Sequence, residues 1–69
     1  MAGSVYKLIE LTGTSTDSIE EAIQNAIAQA GESVRQMRWF EVTETRGTID
    51  KGKVTEYQVT IKVGFKIEA

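Results

Sequence analysis

The clearest pattern in the chain is a strict alternation near its end. Tyr57, Val59, Ile61, Val63, Phe65 and Ile67 are apolar, and Gln58, Thr60, Lys62, Gly64 and Lys66 stand between them. Successive side chains on a strand point to opposite faces, so Val54 to Glu68 reads as a strand with one buried and one wetter face. Val34 to Thr48 reads as a second long strand. Phe40 and Val42 fall on one of its faces, and Met37, Trp39, Glu41 and Thr43 on the other. Gly47 to Gly52, through Asp50-Lys51-Gly52, has turn chemistry, so these two strands form a hairpin. Val5 to Leu11 is rich in β-branched and aromatic residues and reads as a first strand. Its apolar residues occupy both faces (Val5, Ile9 and Leu11 against Tyr6 and Leu8), the pattern of a strand covered on both sides. Thr12-Gly13-Thr14-Ser15 breaks it.

Between the first two strands the period changes. Ile19, Ile23, Ala26, Ile27 and Ala30 recur at three and four, the apolar stripe of an amphipathic helix. Glu20, Glu21, Gln24 and Gln29 lie off it. Ser18 with Glu21 forms a capping box, and Ser15 is an equally good cap. Asp17, Glu20 and Glu21 sit where the helix dipole favours acids, and Gly31 is the natural stop. The order predicts an α+β fold, β-α-β-β, with the third strand between the other two and antiparallel to both. A right-handed crossover puts the helix on the face of Tyr57, Val59 and Ile61. The opposite face, with Met37, Trp39, Gln58, Thr60 and Gly64, is left uncovered.

Size gives that open face its meaning. The 69 residues make one domain, 1–69, with 1–4 as a flexible start; they are 41% hydrophobic and 26% charged. A core this small supplies only about 3–5 kcal/mol without disulfides, metals or self-association. There is no cysteine and no histidine, which removes disulfides, thiolate sites, the commonest metal ligand and the commonest general base. Self-association is the helper left. A net charge of −2 argues against sequence-independent binding to nucleic acid or to anionic membranes. The chain starts without a signal-peptide pattern and has no apolar run of membrane-spanning length, so the cytoplasm is the expected compartment.

The candidate chemistry centres on Arg38-Trp39-Phe40-Glu41-Val42. If Phe40 and Val42 face the core, the only tryptophan faces away from it. An indole offers roughly 150–250 Å² for cover. Trp39 and Gln58 share a face, and a ring with a side-chain amide suits a flat heteroaromatic ligand, stacked on its face and bonded at its polar edge. Trp39 packed in a subunit interface is the other reading. The two combine where a ligand lies at a symmetry axis between two copies. Arg46 suits phosphate or a salt bridge, and Glu44 suits ligand hydroxyls or a cross-strand ion pair. Lys62 and Lys66 read as solvated. No nucleophile-with-base pair, phosphate-cradling loop or dinucleotide fingerprint is present, so nothing points to catalysis.

Gly13-Thr14-Ser15, Trp39-Phe40-Glu41-Val42, Arg46-Gly47 with Ile49, Tyr57-Gln58-Val59 and Val63-Gly64-Phe65 together resemble the dodecins, small flavin-binding proteins, from about Val5 to Glu68. The resemblance implies a three-stranded antiparallel sheet partly wrapping one helix, and a hollow homododecamer with flavin sites between subunits. It implies that Trp39 stacks on the isoalloxazine ring, with two flavins between two symmetry-related tryptophans, and that Gln58 bonds the ring's pyrimidine edge. Glu44, five positions after Trp39, resembles the aspartate of archaeal members, where an acidic side chain reaches the ribityl hydroxyls. Arg46 resembles the arginine of bacterial members, which favour FMN and in some cases also bind coenzyme A. Lys66 stands where some relatives have arginine. The implied role is storage of FMN or riboflavin and protection from light, without enzymatic turnover; no residue is assigned as a metal ligand.

Overall fold

The computed structural model describes residues 3–67. Met1 and Ala2 of the expected flexible start, and Glu68 at the expected end of the last strand, lie outside them. Strand β1 (Tyr6–Ser15), helix α1 (Ile19–Ala30), strand β2 (Met37–Asp50) and strand β3 (Lys53–Lys66) follow one another. The sheet order is β1-β3-β2, antiparallel at both pairings, as the sequence pattern predicts. The hairpin closes through a two-residue turn. Asp50 pairs with Lys53, and Lys51 and Gly52 have φ of 52° and 77°, the positive values that twist-matched hairpin turns require at both central residues.

The core is the helix on the alternating face of β3. Ala22 and Ala26 pack on Val59, Ile61 and Val63, with Ile9, Leu11, Ile23, Ile27 and Met37 around them. Ala22 is fully buried and Ile19 is exposed, so the centre of the buried stripe is alanine rather than isoleucine. Gly13 supplies the reason. It does not break β1, which continues to Ser15 with Gly13 paired to Val59. A Cβ at Gly13 would overlap the carbonyl oxygen of Ala22 and come within 2.9 Å of the Ala26 methyl. The helix lies directly on the strand backbone, where only methyl groups fit beneath it. Gly13→Ala is expected to lower stability by about 1–3 kcal/mol, read as a lowered denaturant midpoint at unchanged slope.

Both candidate cap serines are used. Ser18 is the N-cap, its Oγ accepting from the Glu21 N–H at 3.0 Å. The Glu21 carboxylate does not close the capping box. It accepts from the Ser15 hydroxyl at 2.7 Å, while Ser15 Oγ accepts from the Asp17 and Ser18 N–H groups. Ser15, itself buried, thereby organises the turn into the helix. Gly31 ends the helix in a right-handed conformation, its N–H donating to Ile27 O at 2.9 Å.

Two corrections concern β2. Register shifts at Arg38 and Thr43 each insert one extra residue opposite β3, and a bulge reverses the phase of alternation. Met37 therefore pairs with Phe65 and packs against the core instead of joining Trp39. Phe40 and Val42 do share the side of Val63 and Ile61, yet they are 46% and 43% exposed. The helix packs over β1 and β3, and β2 is exposed from Arg38 onward. The protomer is drawn out, 57 × 20 × 13 Å with a radius of gyration of 14.5 Å, against about 11 Å for a compact chain of this length. Its surface is 5132 Å², where a compact chain of this mass has about 4,300 Å². The excess is the hairpin, with Ile49 and Val54 bare at its tip.

Candidate functional site

The face of the sheet away from α1 holds the predicted site residues. Trp39 pairs with Gly64, Glu44 with Thr60 and Arg46 with Gln58. The partners 58, 60 and 64 share one side of β3, so all three β2 residues point the same way. The bulge at Thr43 makes this possible. Strict alternation would send Glu44 and Arg46 to the helix side.

At one end of the face, Trp39, Tyr6 and Leu8 form an apolar patch, all of them substantially exposed. Leu8 pairs with Gly64 from the β1 side, so Gly64 lies beneath the patch, itself buried. A Cβ there would overlap Trp39 Cε2 and Cζ2 and come within 2.6 Å of Cη2. Such a point is nearly equidistant from three neighbouring ring atoms, so it lies over the face of the six-membered ring, not beside its edge. A strand Cβ stands perpendicular to the sheet, so the indole turns a face toward Gly64 and occupies the space a side chain would take there. The Tyr6 ring meets it at 4.8 Å between centroids and 63° between planes, an edge-to-face contact. The indole thus has one face toward Gly64 and the Tyr6 ring against it, and Trp39 remains 44% exposed.

At the other end the face is polar. Arg46 Nε donates to Gln58 Oε1 at 2.7 Å, and Gln58 Nε2 donates to Glu56 Oε1 at 3.2 Å. A side-chain amide has two acceptor and two donor positions, so one of each remains after Arg46 and Glu56 have oriented it. Arg46 NH1 and Glu44 Oε1 lie 3.9 Å apart with both side chains more than half exposed, a loose pair that contributes little. Thr12 and Thr60 share a hydroxyl hydrogen bond at 2.8 Å between the two ends.

The structure therefore brings Gln58, Arg46 and Glu44 together, and sets Trp39 apart from them. Gly64 and Gln58 are six residues apart along β3, about 20 Å at roughly 3.3 Å per residue. That is longer than one tricyclic ring, so the amide and the indole of a single protomer lie at opposite ends of the face. Lys66 lies at the tryptophan end, paired with Tyr6, far from Arg46. Sequence reasoning missed Tyr6 as the wall of the platform. It placed Gly64 on the face without its role, although a glycine interrupting so regular a strand is itself a sign of close approach. Among the described residues, no group of three or more acidic side chains is placed to hold a metal ion, and no helix is long and apolar enough to cross a membrane.

Fold and site together define a small β-α-β-β domain with an aromatic platform and a polar cluster on the sheet face away from its helix. The Dodecin family model matches residues 5–68. Dodecin of Thermus thermophilus is 53% identical over 66 residues, 96% of each chain. Calcium dodecin of Mycobacterium tuberculosis is 40% identical over 65 residues, 93% of this chain and 90% of that one. The structure of dodecin from Streptomyces coelicolor superposes with a TM-score of 0.92 at 40% identity, covering 100% of this chain and 99% of that one. The chain belongs to the dodecin family.

Proposed function

We propose that this protein stores FMN or riboflavin inside the cell, holding each flavin against Trp39 in a homododecamer and quenching its photochemistry. The observation that carries the reading is an exposed indole seated with one face toward Gly64, on the side of the sheet away from the helix. An exposed aromatic ring on a rigid strand is suited to a stacked planar ring, and stacking on an aromatic side chain is worth about 1–3 kcal/mol.

The 20 Å separation within one protomer sets the composition of the site. A flavin stacked on Trp39 takes its edge contacts from Gln58 of another copy, so the site exists only in the assembly. Arg46 holds the Gln58 amide through Nε, and its terminal nitrogens remain for a phosphate. Glu44 beside it is placed for ribityl hydroxyls. Lys66, at the tryptophan end, adds positive charge near the ring. Two flavins sandwiched between two indoles have no free face for a second substrate, which favours sequestration over turnover. An electron-rich indole in contact with an excited isoalloxazine returns it to the ground state by electron transfer and back-transfer.

Titrating the assembled protein with FMN tests this. Flavin emission should fall to near zero as it binds, reaching saturation at one flavin per protomer, and coenzyme A added in competition should not release it. Undiminished emission at protein excess would end the flavin reading. Release by coenzyme A would make the site one for nucleotide carriers more broadly.

A further inference from the structure

We propose that Gly64 is a positioning residue for the aromatic platform, setting the tilt and depth of the Trp39 indole and so the fit of a stacked ring. The inference rests on the flavin reading for its ligand, but its geometry stands without one. Gly64 is not needed by the backbone. Its φ lies outside the left-handed region, unlike that of Gly52, so any residue can adopt it. Glycine in mid-strand loses more conformational freedom on folding than other residues and offers nothing to pack. What it meets first is the indole. The three atoms nearest its virtual Cβ all belong to the Trp39 ring, whereas at Gly13 the nearest is helix backbone. One methyl group at position 64 must therefore lift or swing the ring.

Tyr6 fixes the remaining freedom. With one ring face toward Gly64 and the Tyr6 ring 4.8 Å away at 63°, the indole is confined from two sides. A ring lifted by a methyl group presents its face at another angle, and a planar guest fitted to the original seat then loses contact. Position 64 thus sets the angle at which a flat polycyclic ligand can stack.

Gly64→Ala tests this with two readouts. Without ligand, the near-ultraviolet dichroism and emission of the single tryptophan should change, because its contacts with Gly64 and Tyr6 change. With FMN as the probe, the dissociation constant should rise at least tenfold and bound flavin should regain emission, at unchanged particle mass. Unaltered tryptophan signals, or wild-type FMN affinity and quenching, would overturn the proposal while leaving the flavin reading intact. Should the wild type itself fail to bind FMN, the flavin reading falls and the ligand-free signals still decide the role of Gly64. Should Gly64→Ala not assemble, the double variant W39A/G64A decides. Assembly restored by removing the indole locates the conflict between the methyl and the ring; continued failure assigns the glycine to folding and refutes the positioning role.

Discussion

Replacing Trp39 with alanine is expected to raise the dissociation constant for FMN at least tenfold while the particle stays assembled. Tenfold corresponds to about 1.4 kcal/mol, and one lost ring-on-ring stacking contact is worth about 1–3 kcal/mol. Each flavin of a pair loses the one indole it stacks on, so the loss should fall within that range. Assembly should survive, because the indole is 44% exposed and rests on a strand backbone and the edge of one ring. Flavin emission reports affinity in the variant, and sedimentation reports mass. Trp39→Phe should fall between the two, keeping a smaller ring on the same seat. Equal affinity in Trp39→Ala would place the flavin elsewhere.

The second large effect is on assembly. Val42→Asp is expected to convert the particle into smaller species at the same protein concentration. Val42 and Phe40 lie on the helix side of the sheet beyond the reach of α1 and are nearly half exposed. Ile49 and Val54 continue the bare surface toward the hairpin tip. Fully covering one such side chain is worth about 1.5–3 kcal/mol, and a protomer this drawn out has only other copies to supply that cover. An unpaired polar group buried at the same place costs on the order of 2–7 kcal/mol, repeated in every protomer. The protomer's own core of Val59, Ile61, Val63, Ala22 and Ala26 is untouched, so the helix content of the dissociated chain should largely persist. An undiminished particle mass would show that this side of β2 stays in solvent after assembly.

The order of elements was legible because the alternation of β3 is unbroken over its buried stretch and the helical stripe is flanked by clear caps. A period of two and a period near four are hard to confuse over a dozen residues. The phase of β2 was not legible. Counting by twos carries straight through Arg38 and Thr43, where one extra residue enters the strand and reverses which face follows. That placed Met37 with Trp39, when it packs beside Ile27 and Val63. The same phase change is what gathers Arg46 and Glu44 onto the face of Gln58. Gly13 misled for a different reason. Glycine among threonines and a serine reads as a turn, whereas here it marks a strand that a helix touches. Ala22 was passed over because alanine carries little weight in a hydrophobic pattern, and only the closeness of helix to strand makes it the centre of the core.

Of the site, the face shared by Trp39 and Gln58 was legible from the parity of β3 pairing alone. Their distance along the strand was not, because parity records side and ignores separation. The seat was also hidden. That Gly64 lies under the indole depends on the register of β2 against β3, which the bulge at Arg38 sets.

The central claim is that the outer face of Trp39 is covered by a flavin, and that this happens only where copies of the chain come together. Sedimentation of the purified protein with FMN, followed at the absorbance of the flavin and of the protein, tests it most directly. One boundary of about twelve protomer masses, carrying one flavin per tryptophan, is the predicted result. A stable single protomer, or an assembled particle whose boundary carries no flavin, would contradict it.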